Sequence, residues 1–202
     1  MRKAVAYIFL LIIFGVIVLL FWYNEWIYNL PTPIPKNYSM VERGAYIDLP
    51  AKLKFHNNKP LLLHFFNPDC PCSKFNIPHF RYLIKEYRNE INFAIVVVSN
   101  KKYSTKEITD KFDLDLDIPV LTDSTLPVLC GVYSSPQAVI IDTYQKLYFR
   151  GNYNKSRYCS DKKSNYAQIA LDAILSKNNI LQFTDASLRA YGCELPNCTK
   201  EK

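Results

Sequence analysis

Residues 4–23 form an unbroken run of twenty uncharged, mostly aliphatic residues. As a helix, such a run rises about 30 Å, the thickness of a bilayer's hydrocarbon core. A cleaved secretory signal has an apolar stretch of about 7–15 residues and a small-residue cleavage site. Here the run is longer and passes into Asn24, Glu25 and Trp26, so it is expected to remain as one transmembrane helix. Arg2 and Lys3 precede it with no basic cluster just after it. That asymmetry places the N-terminus in the cytoplasm and everything beyond residue 24 on the periplasmic or other extracytoplasmic face. Trp22, Tyr23, Trp26 and Tyr28 stand where an interfacial aromatic belt belongs. Pro31, Pro33 and Pro35 suggest a stiff tether. The expected division is an anchor over 1–23, a tether over 24–41, a domain over 42–180, and an extension over 181–202 with a cysteine pair.

The rest of the 202 residues has room for one domain. A hydrophobic content of 49% is enough for a packed core and argues against disorder. The net charge of +7 is spread along the chain rather than gathered into runs, so it reads as a solvated surface and not as a nucleic-acid site. Outside the cytosol the six cysteines can be oxidised, and if all pair there are fifteen connectivities. Asn37, Asn154 and Asn197 each begin a glycosylation sequon, which keeps a eukaryotic secretory compartment open beside the bacterial one.

Pro60–Phe66 is an apolar run of strand length, the mark of a strand covered on both faces. A helix is expected over 72–90, burying Phe75, Phe80, Leu83, Ile84 and Tyr87. A second buried strand over 91–99 and a short helix opened by a Ser104/Glu107 capping box follow. Next come a strand over 118–121, a helical turn to Cys130, two antiparallel strands over 137–142 and 146–150, and a helix from Ser164 to Lys177. A short helix over 184–191 closes the pattern. The order specifies an α/β sandwich with a mixed central sheet flanked by helices.

Cys70 and Cys72, in the sequence NPDCPCSK, fall between the first strand and its helix. The unpaired N–H groups and positive dipole end of a helix N-terminus stabilise a thiolate, and a thiolate is the nucleophile of disulfide exchange. An acidified, exposed sulfur at Cys70 is therefore expected, with a second thiol close by. A disulfide spanning one residue would be strained and easily reduced.

This strand–cysteine–helix arrangement resembles the thioredoxin superfamily. With the membrane helix it is similar to the TlpA/ResA group of extracytoplasmic thiol-disulfide oxidoreductases, over roughly residues 45–177. It also resembles an uncharacterised bacterial group with a C-P-C site and a late cysteine pair. The resemblance implies a thioredoxin-like fold and an attacking thiol at Cys70, with Pro78 eight residues on. It further implies a cis-proline at Pro136, whose backbone would offer an edge to a substrate peptide. Ser73 stands where the usual C-x-x-C motif has its second cysteine, so resolution by Cys72 is an inference.

Cys193 with Cys198 reads as a disulfide clamping the end of the chain, while Cys130 and Cys159 are left open as structural or resolving thiols. His64, within an apolar strand, is expected as a hydrogen-bonded core residue. His56 and His79 are dispersed, and His79 lies too far along its helix to share a metal with Cys72. The leading function is thiol-disulfide exchange with exported proteins, without a cofactor, served by a redox partner at the membrane or in the periplasm. The alternative is a Sco-like metallochaperone holding Cu(I) on Cys70 and Cys72. A peroxiredoxin-type peroxidase is disfavoured because Asn67 stands where that family has Thr or Ser, and a redox-inert scaffold remains as the last reading.

Overall fold

The computed structural model describes residues 2–55, 57–113, 118–156, 158–177 and 182–195. The chain divides into two compact units, Met1–Pro31 and Thr32–Lys202. The first is helix α1 (Arg2–Asn29), of which Lys3–Trp26 is long and apolar enough to cross a membrane. The helix runs on past residue 23, where the tether was expected to begin.

In the second unit the order is β1 (Leu61–Phe66), α2 (Pro71–Tyr87), β2 (Asn92–Val97), α3 (Thr105–Phe112), β3 (Val120–Thr122), α4 (Thr125–Leu129), β4 (Ser134–Ser135), β5 (Gln137–Ile141), β6 (Leu147–Gly151), α5 (Tyr166–Leu175), α6 (Asp185–Leu188) and β7 (Cys193–Glu194). Five strands make the central sheet in the order β3-β2-β1-β5-β6, and β4 pairs with β7 apart from it. β1, β2 and β3 run parallel, whereas β5 and β6 are antiparallel. This mixed sheet with helices on it is the thioredoxin-like sandwich.

All six residues of β1 are buried because both faces of the sheet are covered. Leu62 and Phe66 pack with Phe80, Leu83 and Ile84 of α2, Ile108 and Phe112 of α3, and Ala170 and Leu171 of α5. Leu61, Leu63 and Phe65 point the other way, into a second cluster with Ile47, Leu49, Leu126, Val132 and Leu195. Period-two alternation therefore carries apolar residues on both phases, and a continuous apolar run results.

Three local expectations are corrected. Phe75 is 44% exposed, lying against Tyr158 rather than in the core. Cys72, Ser73 and Asn76 take the buried face at that end of α2. Ser164 does not cap α5: its hydroxyl is taken up by Asn154 and Asp161 in a preceding 3-10 turn, and Asn165 stands at the cap. Residues 32–41 of the expected stiff tether pack on the domain: Thr32 is buried, the Tyr38 hydroxyl donates to the Gly131 carbonyl, and Val41 packs on the second cluster.

Candidate active site

β1 ends at Phe66, and the turn that follows is fixed by its own polar groups. The Asn67 side-chain oxygen accepts from the Asp69 N–H at 2.9 Å, and the Asn67 carbonyl accepts from the Cys70 N–H at 3.1 Å. The Asp69 carboxylate accepts from Lys101 Nζ at 2.9 Å, the Tyr103 hydroxyl at 2.8 Å and Ser99 Oγ at 3.0 Å. These donors, the Lys101 ammonium foremost, hold its pKa below the ordinary carboxylate value. The loop is thereby tied to the β2–α3 connection, and Cys70 is delivered to the N-cap of α2 with Pro71 at the first helical position.

Cys70 is joined by a disulfide to Cys193, 123 residues away. This corrects the expected Cys193–Cys198 clamp; Cys198 itself lies outside the described residues. It also answers the expected partnership of Cys70 with Cys72. Positions two apart on a helix are turned by about 200° from one another. Cys72 accordingly enters the buried face of α2, while Cys70 faces the 193 segment. Nor is the Cys70 sulfur exposed as expected: the residue is 2% accessible, since the segment that carries Cys193 covers it.

That segment is held by more than the sulfur. β7 pairs antiparallel with β4, setting Cys193 opposite Ser135 and Glu194 opposite Ser134, and the Leu195 N–H donates to the Tyr133 carbonyl at 3.3 Å. The Ser135–Pro136 peptide bond is cis. Cys70 Sγ lies 3.7 Å from the Ser135 carbonyl oxygen, a place from which the reduced thiol can donate. Gly192 has φ +140°, and a Cβ there would overlap the Ser135 carbonyl oxygen. Thr32 bridges the pieces: its N–H donates to the Ala190 carbonyl, its hydroxyl donates to the Gly192 carbonyl at 3.2 Å, and it shares a hydrogen bond with Ser134 Oγ at 2.9 Å. From the end of β6, the Asn152 amide donates to the Ala186 and Arg189 carbonyls at 3.1 and 2.6 Å and accepts from the Tyr191 N–H.

At two other cysteines burial works against the thiolate. Cys130 is buried in the second cluster, and burial pushes its thiol up to about 12. Cys159 is half-buried and accepts from the Asn76 amide at 3.2 Å, with burial raising its thiol to about 11. His64 is fully buried and its Nδ1 meets the Tyr153 hydroxyl at 2.7 Å. His79 lies edge-on to the same tyrosine ring, and His56 falls outside the described residues. Among the described residues no group of three or more His, Cys, Asp or Glu side chains could hold a metal ion. Asn154 of the second sequon is buried, its amide donating to Asp161 and Asn165, which leaves it no room for a glycan in the folded chain.

Thr32 and Asn152 escaped the sequence reading, and Gly192 was read only as the residue that stops the short helix over 184–191. Only Gly192 left a local signal, a glycine directly before a cysteine; the other two act on residues far away in sequence.

The family described as "Domain of unknown function (DUF6436)" matches residues 39–195. No curated protein matches the chain. Among solved structures, a hypothetical protein from Sinorhizobium meliloti is similar with a TM-score of 0.63 at 15% identity, covering 78% of this chain and 96% of that one. An uncharacterized conserved protein from Geobacillus kaustophilus gives a TM-score of 0.61 at 17% identity, covering 86% and 100%. A secreted disulfide oxidoreductase from Mycobacterium tuberculosis gives 0.45 at 15% identity, covering 60% and 85%.

Proposed function

Because the chain belongs to the DUF6436 family, whose domain is described as of unknown function, we propose its activity from its own sulfurs: thiol-disulfide exchange, with Cys70 as the attacking thiol and Cys193 as the thiol that resolves it. The observation that carries this reading is the Cys70–Cys193 disulfide at the start of α2. A sulfur at a helix N-terminus is a good leaving group and, once released, a stabilised thiolate. In the reducing direction, the Cys70 thiolate attacks one sulfur of a partner's disulfide and a partner thiolate departs. The Cys193 thiolate then attacks Cys70 Sγ, the second partner thiolate departs, and both take up protons. The partner gains two electrons and the Cys70–Cys193 pair loses them; the oxidising direction is the reverse.

The proposal extends to place. Helix α1 is long and apolar enough to anchor the domain to a membrane through residues 4–23, and an oxidised cysteine pair suits the periplasmic or other extracytoplasmic face. Among thioredoxin-like proteins this is the membrane-anchored TlpA/ResA manner of working. The substrates would be exported proteins with thiols or disulfides, and a membrane or periplasmic redox partner would reset the pair.

A disulfide-reduction assay with insulin, run on the full chain in detergent, tests the reading. Cys70→Ser is expected to lower the rate by at least about a hundredfold, as loss of a nucleophile does. Cys193→Ser is expected to accumulate a mixed disulfide through Cys70. If Cys70→Ser keeps the parent's rate, the reading fails. If Cys72→Ser rather than Cys193→Ser accumulates the mixed disulfide, the resolving thiol is Cys72.

A further inference from the structure

Residues 190–195 do more than carry a sulfur to Cys70. They present an extended strand to β4, with the cysteine opposite Ser135. A glycine precedes that cysteine at a point where a side chain would meet the Ser135 carbonyl. Two residues after it, Leu195 is buried at 3% in the cluster that holds Leu126, Cys130 and Val132. The contact repeats, within one chain, what a cysteine-bearing peptide in mixed disulfide with Cys70 would need: paired backbone, a sulfur within bonding distance, and side-chain discrimination on either side of it.

We propose that this segment is an internal stand-in for the partner, competing with it for the β4 edge. Resting on the exchange reading above, the proposal has two parts. The partner segment is an extended strand of the pattern glycine–cysteine–any residue–leucine or a similar apolar residue. Residues 190–195 first displace that strand from β4, and once the edge is retaken Cys193 attacks Cys70 Sγ in line with the partner sulfur, now swung to the far side of Cys70 Sγ. Each would seat a cysteine opposite Ser135, and the Cys70 sulfur has one bond to give, so partner and segment cannot hold that place at once. Pairing of Cys193 with Ser135 places the resolving thiolate against Cys70 Sγ, while the hydrogen bonds that form along β4 replace those of the departing strand. The bond that forms is Cys70–Cys193, the bond that breaks is Cys70–partner, and the partner cysteine leaves as a thiolate that takes up a proton.

The test uses the full chain in detergent, reduced, with Cys198→Ser throughout so that sulfur does not intervene. The probes are synthetic peptides AYGCEL, AYVCEL and AYGCED, each with its cysteine in a disulfide to thionitrobenzoate. Attack by Cys70 on the peptide sulfur releases coloured thionitrobenzoate, and later release of free peptide reports resolution. AYGCEL is expected to release thionitrobenzoate about tenfold faster than either other peptide, the order of effect of a strained or badly packed residue. Gly192→Val is expected to release thionitrobenzoate at least as fast as its parent but free peptide about tenfold more slowly, and Cys193→Ser is expected to retain the peptide. Equal rates for the three peptides, or parental peptide release by Gly192→Val, would overturn the proposal while leaving the exchange reading intact. Thionitrobenzoate release undiminished by Cys70→Ser would sink the exchange reading and the proposal with it. Should Gly192→Val fail to fold, the three peptides on the parent chain still decide.

Discussion

His64 shows most sharply what a single side chain does in this molecule. It sits in the middle of β1, fully buried, with its ring stacked 4.2 Å from Phe80 and Nδ1 hydrogen-bonded to Tyr153. Burial, aided by the nearby His79, lowers its pKa to about 3. Between about pH 6.5 and 3 the unfolded chain therefore binds a proton that the folded chain refuses, so stability is full above 6.5 and falls as the pH drops. From pH 7 to pH 5 this one residue is expected to remove about 2 kcal/mol, measured by urea unfolding at the two pH values. His64→Phe is expected to be less stable at pH 7, since Tyr153 loses its partner at a cost of about 1–3 kcal/mol, yet to show a flatter dependence on pH. An unchanged slope would mean that His64 is not the group responsible. That His64 is a hydrogen-bonded core residue could be read from the apolar run around it. Its partner could not, because Tyr153 is 89 residues away.

At the level of elements, legibility follows sequence distance. The Ser104/Glu107 capping box is written in four consecutive residues, and the structure contains it: the Ser104 hydroxyl accepts from the Glu107 N–H at 3.2 Å and the Glu107 carboxylate accepts from the Ser104 N–H at 2.7 Å. Because α3 is only eight residues long, its cap matters to it. Ser104→Ala is expected to lower unfolding free energy by about 1 kcal/mol in a denaturant titration, with Ser104→Gly costing less. A loss no larger than about 0.2 kcal/mol would show the cap to be idle. The β1 run and the β5–β6 hairpin were equally plain, since periodicity is local. The Ser164 cap failed because Asn154 and Asp161, brought close by the turn, compete for the hydroxyl. β4 and β7 left no trace at all: two residues carry no periodicity, and their register exists only once residues 134 and 194 meet.

The same division between near and far governs the whole molecule. The N-terminal position of Cys70 on α2 was legible, whereas its partner depends on where a distant segment is packed. The Cys70–Cys193 bond closes a loop with a sequence separation of 123 residues. In the chain-entropy account, a loop of that length removes enough freedom from the unfolded chain to stabilise the fold by up to about 5 kcal/mol. Reduction gives that up, and it also frees the one covalent hold on residues 190–195 while leaving their hydrogen bonds to Thr32, Asn152 and β4. Although Thr32, Asn152, Ser134 and Ser135 are themselves buried, the segment buries only Ala190 and Leu195 of its own residues; the central strands are enclosed on both faces. Local opening of the segment is therefore expected to separate from global unfolding. On reduction, hydrogen exchange at the Tyr191 and Leu195 amides should speed up by at least about tenfold, while amides of β1, β2 and β5 slow in exchange before reduction remain slow. Uniform acceleration across the sheet would mean that the disulfide stabilises the domain as a single unit and that the segment has no separate open state.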